Sequence, residues 1–389
     1  METVMQRQQR TGRGRWCAGL GAVACGGRAW TAVRLGAAVC VGAAMAAGAG
    51  CAGAGDRRGG ASLVPDPLAS APVTRSATRE RAIAVLSEMA RSPRPEARAN
   101  ALEALLEAPA RLREVLPAGL RDPSPAVRAV AVAAVGRVGA EEFASRASAL
   151  LRDPSPYVRA SAVYAAARLR LPADQTPLAA MLAGPDLNLA GHAAYVLGEI
   201  GNQSAAPVLR SAARRASPLA DRTLLTKLDL QISEALVKLG DSQGLDRLRA
   251  ALLPYVPADL EGAALAAQIL GQLRDRGSLD FLVRLTDVPD PDSGPMPAEV
   301  RMAAALALRR MGLPRSGPAV ADEFIASARP TLRVQALFEY AEAAEPRMAT
   351  VAARLMEQDP EESVRLAAAA AILRMFNRGG AALTGDGLE

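Results

Sequence analysis

Few side chains in this 389-residue chain suit bond-making chemistry. There is one histidine, His192, and there are four cysteines, Cys17, Cys25, Cys40 and Cys51. No CxxC or HExxH spacing occurs, and no His/Cys/Asp/Glu cluster has the spacing of metal ligands. The acidic pairs Glu141-Glu142 and Glu361-Glu362 fall near predicted helix starts, where the helix dipole favours negative charge. The reading is of no catalytic residue, no metal and no cofactor. What the sequence does offer is a recognition set: Tyr157, Tyr164, Arg168, His192, Tyr195 and Glu199. Aromatic and arginine side chains dominate protein contacts energetically. Aromatics are scarce here, with five Tyr, five Phe and two Trp, and both Trp lie within the first 50 residues. Tyr164 and Tyr195 are 31 residues apart.

That spacing belongs to a repeat. Leu120–Ala129 reads LRDPSPAVRA and Leu151–Ala160 reads LRDPSPYVRA. An arginine after an apolar residue recurs at Arg98, Arg128, Arg159, Arg301, Arg333 and Arg365. Each unit predicts a first helix, then Asp and Pro, then a second helix. The Asp-Pro pairs are Asp122-Pro123, Asp153-Pro154 and Asp359-Pro360. Asp accepts from free N–H groups at a helix start, and Pro is tolerated in a first turn. In the second helix of the unit at 120–150, Val127, Ala131, Ala134, Val135 and Val138 share one face. The opposite face carries Ala126, Val130, Ala133 and Arg137. In the next unit these places become Tyr157, Ser161, Tyr164 and Arg168, and then His192, Tyr195 and Glu199 follow. Gly139, Gly201, Gly240 and Gly312 are placed to close second helices in the left-handed conformation.

The pattern Asp-Pro-x-x-x-Val-Arg between two short helices resembles the HEAT repeat, especially its bacterial short form. The resemblance covers about residues 77–377 and implies an all-α fold, an α-solenoid of about nine helix pairs forming a curved superhelix. It further implies an Asp–Arg ladder between neighbouring repeats: Asp122/Arg128, Asp153/Arg159 and Asp359/Arg365. Ser92, Pro295 and Ser327 stand where the Asp belongs before Arg98, Arg301 and Arg333, so the ladder is expected to break there. In this family the second helices line the concave surface. That places Tyr157, Tyr164, Arg168, His192, Tyr195 and Glu199 in one protein-binding patch; the alternative is a solvated face with His192 at the core's edge. Val288–Val300, with four Pro, reads as an enlarged loop.

Charge and the N-terminus constrain the role. The formal charge is +6, but residues 1–50 hold six Arg and one Glu, leaving 40 basic against 39 acidic residues in the remainder. So neutral a body offers little attraction for nucleic acid. Leu35–Gly50 is a short, Ala- and Gly-rich apolar run behind Arg28 and Arg34, the pattern of an export signal over 1–50. Gly48-Ala49-Gly50-Cys51 resembles a lipoprotein cleavage site that would put a lipid on Cys51, with ordinary signal cleavage and a free thiol as the alternative. Residues 51–76 read as a flexible tether and 378–389 as a disordered tail. The leading expectation is a non-catalytic, membrane-anchored scaffold of the cell envelope that binds protein partners, not nucleic acid. The alternative is an enzyme or enzyme subunit resembling the HEAT-like phycobilin lyases.

Overall fold

The computed structural model describes residues 72–214, 221–254, 256, 259–287, 296–313, 317–343 and 346–384. The export segment, Cys51 and most of the tether therefore lie outside the described residues, as do 288–295 of the expected loop and 385–389 of the tail. All regular structure among the described residues is helical and forms nine pairs. First helices are α1 (Pro72–Met89), α3 (Pro109–Gly119), α5 (Ala144–Ala149), α7 (Thr176–Ala183), α9 (Ala206–Ala213), α11 (Gln243–Ala250), α13 (Leu279–Asp287), α15 (Gly317–Phe324) and α17 (Pro346–Gln358). Second helices are α2 (Pro95–Ala104), α4 (Pro125–Val138), α6 (Pro156–Arg168), α8 (Leu187–Ile200), α10 (Arg222–Lys238), α12 (Leu260–Leu273), α14 (Ala298–Arg310), α16 (Pro330–Ala343) and α18 (Glu362–Thr384). The last helix runs past residue 377, and α14 already begins inside the expected 288–300 loop. No helix among the described residues is long and apolar enough to cross a membrane.

The turns explain where second helices begin. Asp122 accepts from the Ser124 N–H at 2.8 Å, and Asp153 from the Ser155 N–H at 2.9 Å. Each forms an Asx turn, and the helix starts one residue further on, with Pro125 or Pro156 in its first turn. At their other ends, Gly139, Gly201, Gly240 and Gly312 have φ between 61° and 92°.

The second helices stack side by side as an inner layer. Large apolar side chains come from both layers, with Leu102, Leu230, Ile232 and Tyr340 on second helices. The fully buried Leu86, Leu112, Leu116, Leu178, Leu182, Leu209 and Leu248 belong to first helices and fill the space between layers. At the closest approaches between inner helices the contacts are Ala and Gly. A Cβ on Gly136 would stand 2.8 Å from Ala165 Cα, on Gly198 2.8 Å from Ala235 Cα, and on Gly271 2.6 Å from Ala307 Cα. Narrow inside and wide outside, the stack must curve. It curves until it closes. α18 packs on α1 and α2, and one apolar cluster holds Leu86 and Leu105 together with Ile372, Leu373 and Met375. Across the seam Arg81 pairs with Glu357 at 2.9 Å, Glu362 accepts from Ser92 at 3.0 Å and Arg94 at 3.2 Å, and Arg374 pairs with Glu107 at 2.9 Å.

Closure alters the expected inner face. Ala126, Val130 and Ala133 were assigned to an open concave surface but are buried. Apart from Arg128 and Arg137, α4 is apolar around its whole girth, as a helix packed between neighbours must be.

The ladder runs differently from a simple six-residue pairing. Arg128 Nη1 donates to the carbonyl of Asp122 in its own turn (2.9 Å), while its Nε and Nη2 grip the Asp153 carboxylate of the next repeat at 2.8 and 2.9 Å. Arg98 does the same with Ser92 O and Asp122, and Arg333 with Ser327 O and Asp359. Ser92 and Ser327 thus do not cost Arg98 and Arg333 their contacts within the turn, because a backbone carbonyl serves there; what Ser327 lacks is a carboxylate for the preceding unit, whose Arg301 meets Glu323 instead. Arg159 and Arg365 hold their own turns through Asp153 O and Asp359 O, both at 2.8 Å. Where the Asp-Pro turns are lacking, arginines of the first helices bridge repeats instead: Arg210 to Asp241 (2.9 Å) and Arg249 to Asp275 (2.6 and 2.9 Å).

Gly271→Ala tests the packing account. Helix propensity alone favours Ala by about 1 kcal/mol. The 2.6 Å approach to the α14 backbone forces a shift that costs more. A net loss of about 1–2 kcal/mol in denaturant unfolding is expected; equal or greater stability would refute the close-approach account.

Candidate functional site: an axial cavity

The inner helices end together on one face of the ring. There their last turns surround a cavity of about 560 Å³. Eight of the nine second helices, α4 through α18, contribute lining residues, which places the cavity on the ring's axis. Of the six expected patch residues, Tyr164, Arg168, Tyr195 and Glu199 line it. Tyr157 and His192 do not. Tyr157 sits about two turns before Tyr164 and His192 about one turn before Tyr195, and their rings lie 5.7 Å apart. The Tyr157 hydroxyl donates to Asp186 at 3.1 Å, and burial together with that carboxylate raises its pKa. His192 Nε2 is 3.3 Å from Ser161 Oγ. A Ser–His contact is the beginning of nucleophilic chemistry, but Ser161 is 1% exposed and out of a substrate's reach.

The cavity wall is a chain of paired charges. Arg137 bonds Glu103 and donates to the Tyr195 hydroxyl at 3.1 Å. Lys238 donates to Glu199 (2.5 Å) and Glu234 (2.8 Å) and stands 5.1 Å over the Tyr195 ring. Arg309 meets Glu339 at 3.3 Å, while Arg310 (3.4 Å), Arg374 (3.7 Å) and Arg378 share Glu342. Burial depresses the Lys238 pKa, but Glu234 and Glu199 outweigh it and hold the ammonium above its ordinary value. Burial pushes the Tyr195 hydroxyl up to about 12, with Arg137 pulling the other way. The tyrosine is thus a neutral hydrogen-bonding group near pH 7, not an acid or base poised for turnover. Among the described residues no group of three or more metal-ligating side chains occurs.

Reading from sequence missed most of this wall: Arg137 as a member, Lys238, Gln272, Arg274, Arg310 and Glu342. A signal was present for Arg137, Lys238 and Arg310, whose helices end in glycine. The residues ending the second helices in the left-handed conformation are Gly139, Arg170, Gly201, Gly240, Arg274 and Gly312. Two positions before each stands a lining residue: Arg137, Arg168, Glu199, Lys238, Gln272 and Arg310. The helix-ending residue is a better register mark than the Asp-Pro turn, because it sits beside the cavity.

Glu339 gives a pH test. It is fully buried, and burial raises its pKa to about 7 against the pull of Arg309. An acid whose folded pKa exceeds its unfolded value near 4.5 binds its proton more tightly when folded. Its contribution to stability is therefore lost as pH rises from about 4.5 to about 7. Glu339→Gln cannot lose that proton. The stability of the variant relative to the wild type should rise over this window and level off above it. A difference independent of pH would show that Glu339 titrates normally.

The HEAT-repeat sequence profile matches residues 112–188 and, overlapping, 143–227. No curated protein matches in sequence. Solved structures are similar at low superposition. A chain of the CpcE–CpcF complex of phycocyanin lyase from Nostoc sp. PCC7120 is 19% identical, with 67% of this chain and 94% of that one covered and a TM-score of 0.35. An engineered protein is 16% identical, with 60% and 96% covered and a TM-score of 0.33. Human deoxyhypusine hydroxylase in complex with glycerol is 15% identical, with 79% and 99% covered and a TM-score of 0.34. With the helix pairs in place and the profile matched over 112–227, the chain is an all-α solenoid of HEAT-like helix pairs.

Proposed function

We propose that this ring is a non-catalytic scaffold of the cell envelope that docks a segment of a partner protein over the mouth of the axial cavity. The supporting observation is the convergence of Tyr164, Tyr195, Arg168 and Glu199 on one open polar hollow. Its wall is already paired charge to charge, which leaves no free acid–base couple for turnover but provides a rigid, preorganised contact surface. Arg168 is exposed at the rim, available as a contact anchor. Export and anchoring rest on the leader and on lipid at Cys51.

A photoreactive residue in place of Arg168, expressed in the native host, should give one discrete protein adduct. The same residue in place of Glu114, exposed on the outer helix α3, should not. Identical adducts from both positions, or none from Arg168, would sink the docking reading. Mass spectrometry of protein purified from its native membrane should find an N-terminal peptide beginning at acylated Cys51. An unprocessed N-terminus would remove the envelope from the proposal.

A further inference from the structure

The six helix-ending residues in the left-handed conformation are not chemically alike. Four are glycine, which adopts positive φ without steric cost. Two are arginine, Arg170 at φ 57° and Arg274 at φ 53°. For a residue bearing a Cβ this conformation costs free energy, and such strain persists where something else requires the side chain. Both arginines are exposed on the face where the inner helices end. Arg274 lines the axial cavity. Arg170 lines a neighbouring hollow, and Arg168 borders both. Arg168, Arg170 and Arg274 have no carboxylate within ion-pair distance among the described residues.

Cations lining the axial cavity outnumber carboxylates seven to three. Glu103 and Glu339, buried behind the wall, take up Arg137 and Arg309. Arg168 and Arg274 stay unneutralised. The rim thus holds strained, unpaired guanidinium groups beside a wall whose other charges are matched.

We infer that the partner segment is acidic, and that Arg170 and Arg274, with Arg168, grip its carboxylates at the mouth of the axial cavity. The inference rests on the docking reading above. Guanidinium forks match carboxylates bidentately. A nucleic acid fits less well. The ring of Tyr195 is already covered by Lys238, and Tyr164 is 8% exposed, so neither offers a face for base stacking.

The test uses the full chain and a fluorescein-labelled decaglutamate peptide, read by fluorescence anisotropy at low salt. The variants are Arg170→Gly, Arg274→Gly and the two combined. Glycine relieves the left-handed strain, so Tm should stay level or rise while peptide affinity falls, by about tenfold in the double variant. Unchanged affinity in the double variant would overturn the inference. So would a lower Tm in either single variant, which would mean that the arginines are there for stability. Oligothymidylate of equal charge should bind more weakly than the peptide; equal binding would mark a general polyanion surface and overturn the acidic-segment assignment. If the wild type fails to bind decaglutamate while the Arg168 photoadduct persists, the acidic ligand falls and the docking reading stands.

Discussion

The structure depends on how closely the inner helices approach one another. Nine helices spaced by about 8–10 Å close a circle roughly 12–14 Å in radius. Half a helix diameter of side chains, about 5 Å, comes off that radius. Only small residues satisfy the inner contacts, and Gly136 on Ala165, Gly198 on Ala235 and Gly271 on Ala307 are where the spacing is tightest. Away from those approaches, leucines of both helix layers supply the large apolar volume, Leu112 and Leu178 from the outer and Leu102 and Leu230 from the inner. Alanine and glycine set the inner spacing, and with it the curvature.

The same geometry makes the axial cavity polar. Helix C-termini carry partial negative charge, so basic side chains in a last turn are favourable there. Bringing the last turns of the inner helices together crowds those basic groups, and carboxylates from adjacent helices must answer them. Arg137 with Glu103, Lys238 with Glu199 and Glu234, and Arg309 with Glu339 are such answers. Pairs as buried as these add little net stability over apolar packing, but losing one partner is costly. They fix which helix faces which. The wall is therefore stiff, and its unanswered charges stand out against it.

Much of the fold was legible in the sequence, because a repeat states its contacts many times over. The two near-identical decamers at Leu120 and Leu151 mark the turn, and the six-residue step to Arg128 and Arg159 marks the next helix. What could not be read locally was closure, since nothing near Glu107 announces Arg374 and nothing near Arg81 announces Glu357. Missing closure led to the inner face of α4 being taken as open. Four of the six patch residues were found because Tyr164 and Tyr195 share a register. Tyr157 and His192 share that face too, but nearer the helix starts and outside the cavity. Arg170 and Arg274 were missed because positive φ is invisible in a sequence unless glycine signals it.

An open array of repeats has two ends. Its terminal units keep only one neighbour and melt first, so such proteins unravel stepwise. Here α18 lies against α1 and α2, and among the described residues no unit is terminal. In the language of one-dimensional cooperative chains, the boundary is periodic. Removing any single unit breaks two interfaces instead of one, so fraying is suppressed and the molecule melts as a whole. The cost is kinetic. The final contact joins segments more than 250 residues apart, and such non-local closure slows folding. Between synthesis of the first pair and docking of the last, α1 and α2 present an uncovered apolar face. The half-made ring is thus a sticky intermediate on the way to a product without edges.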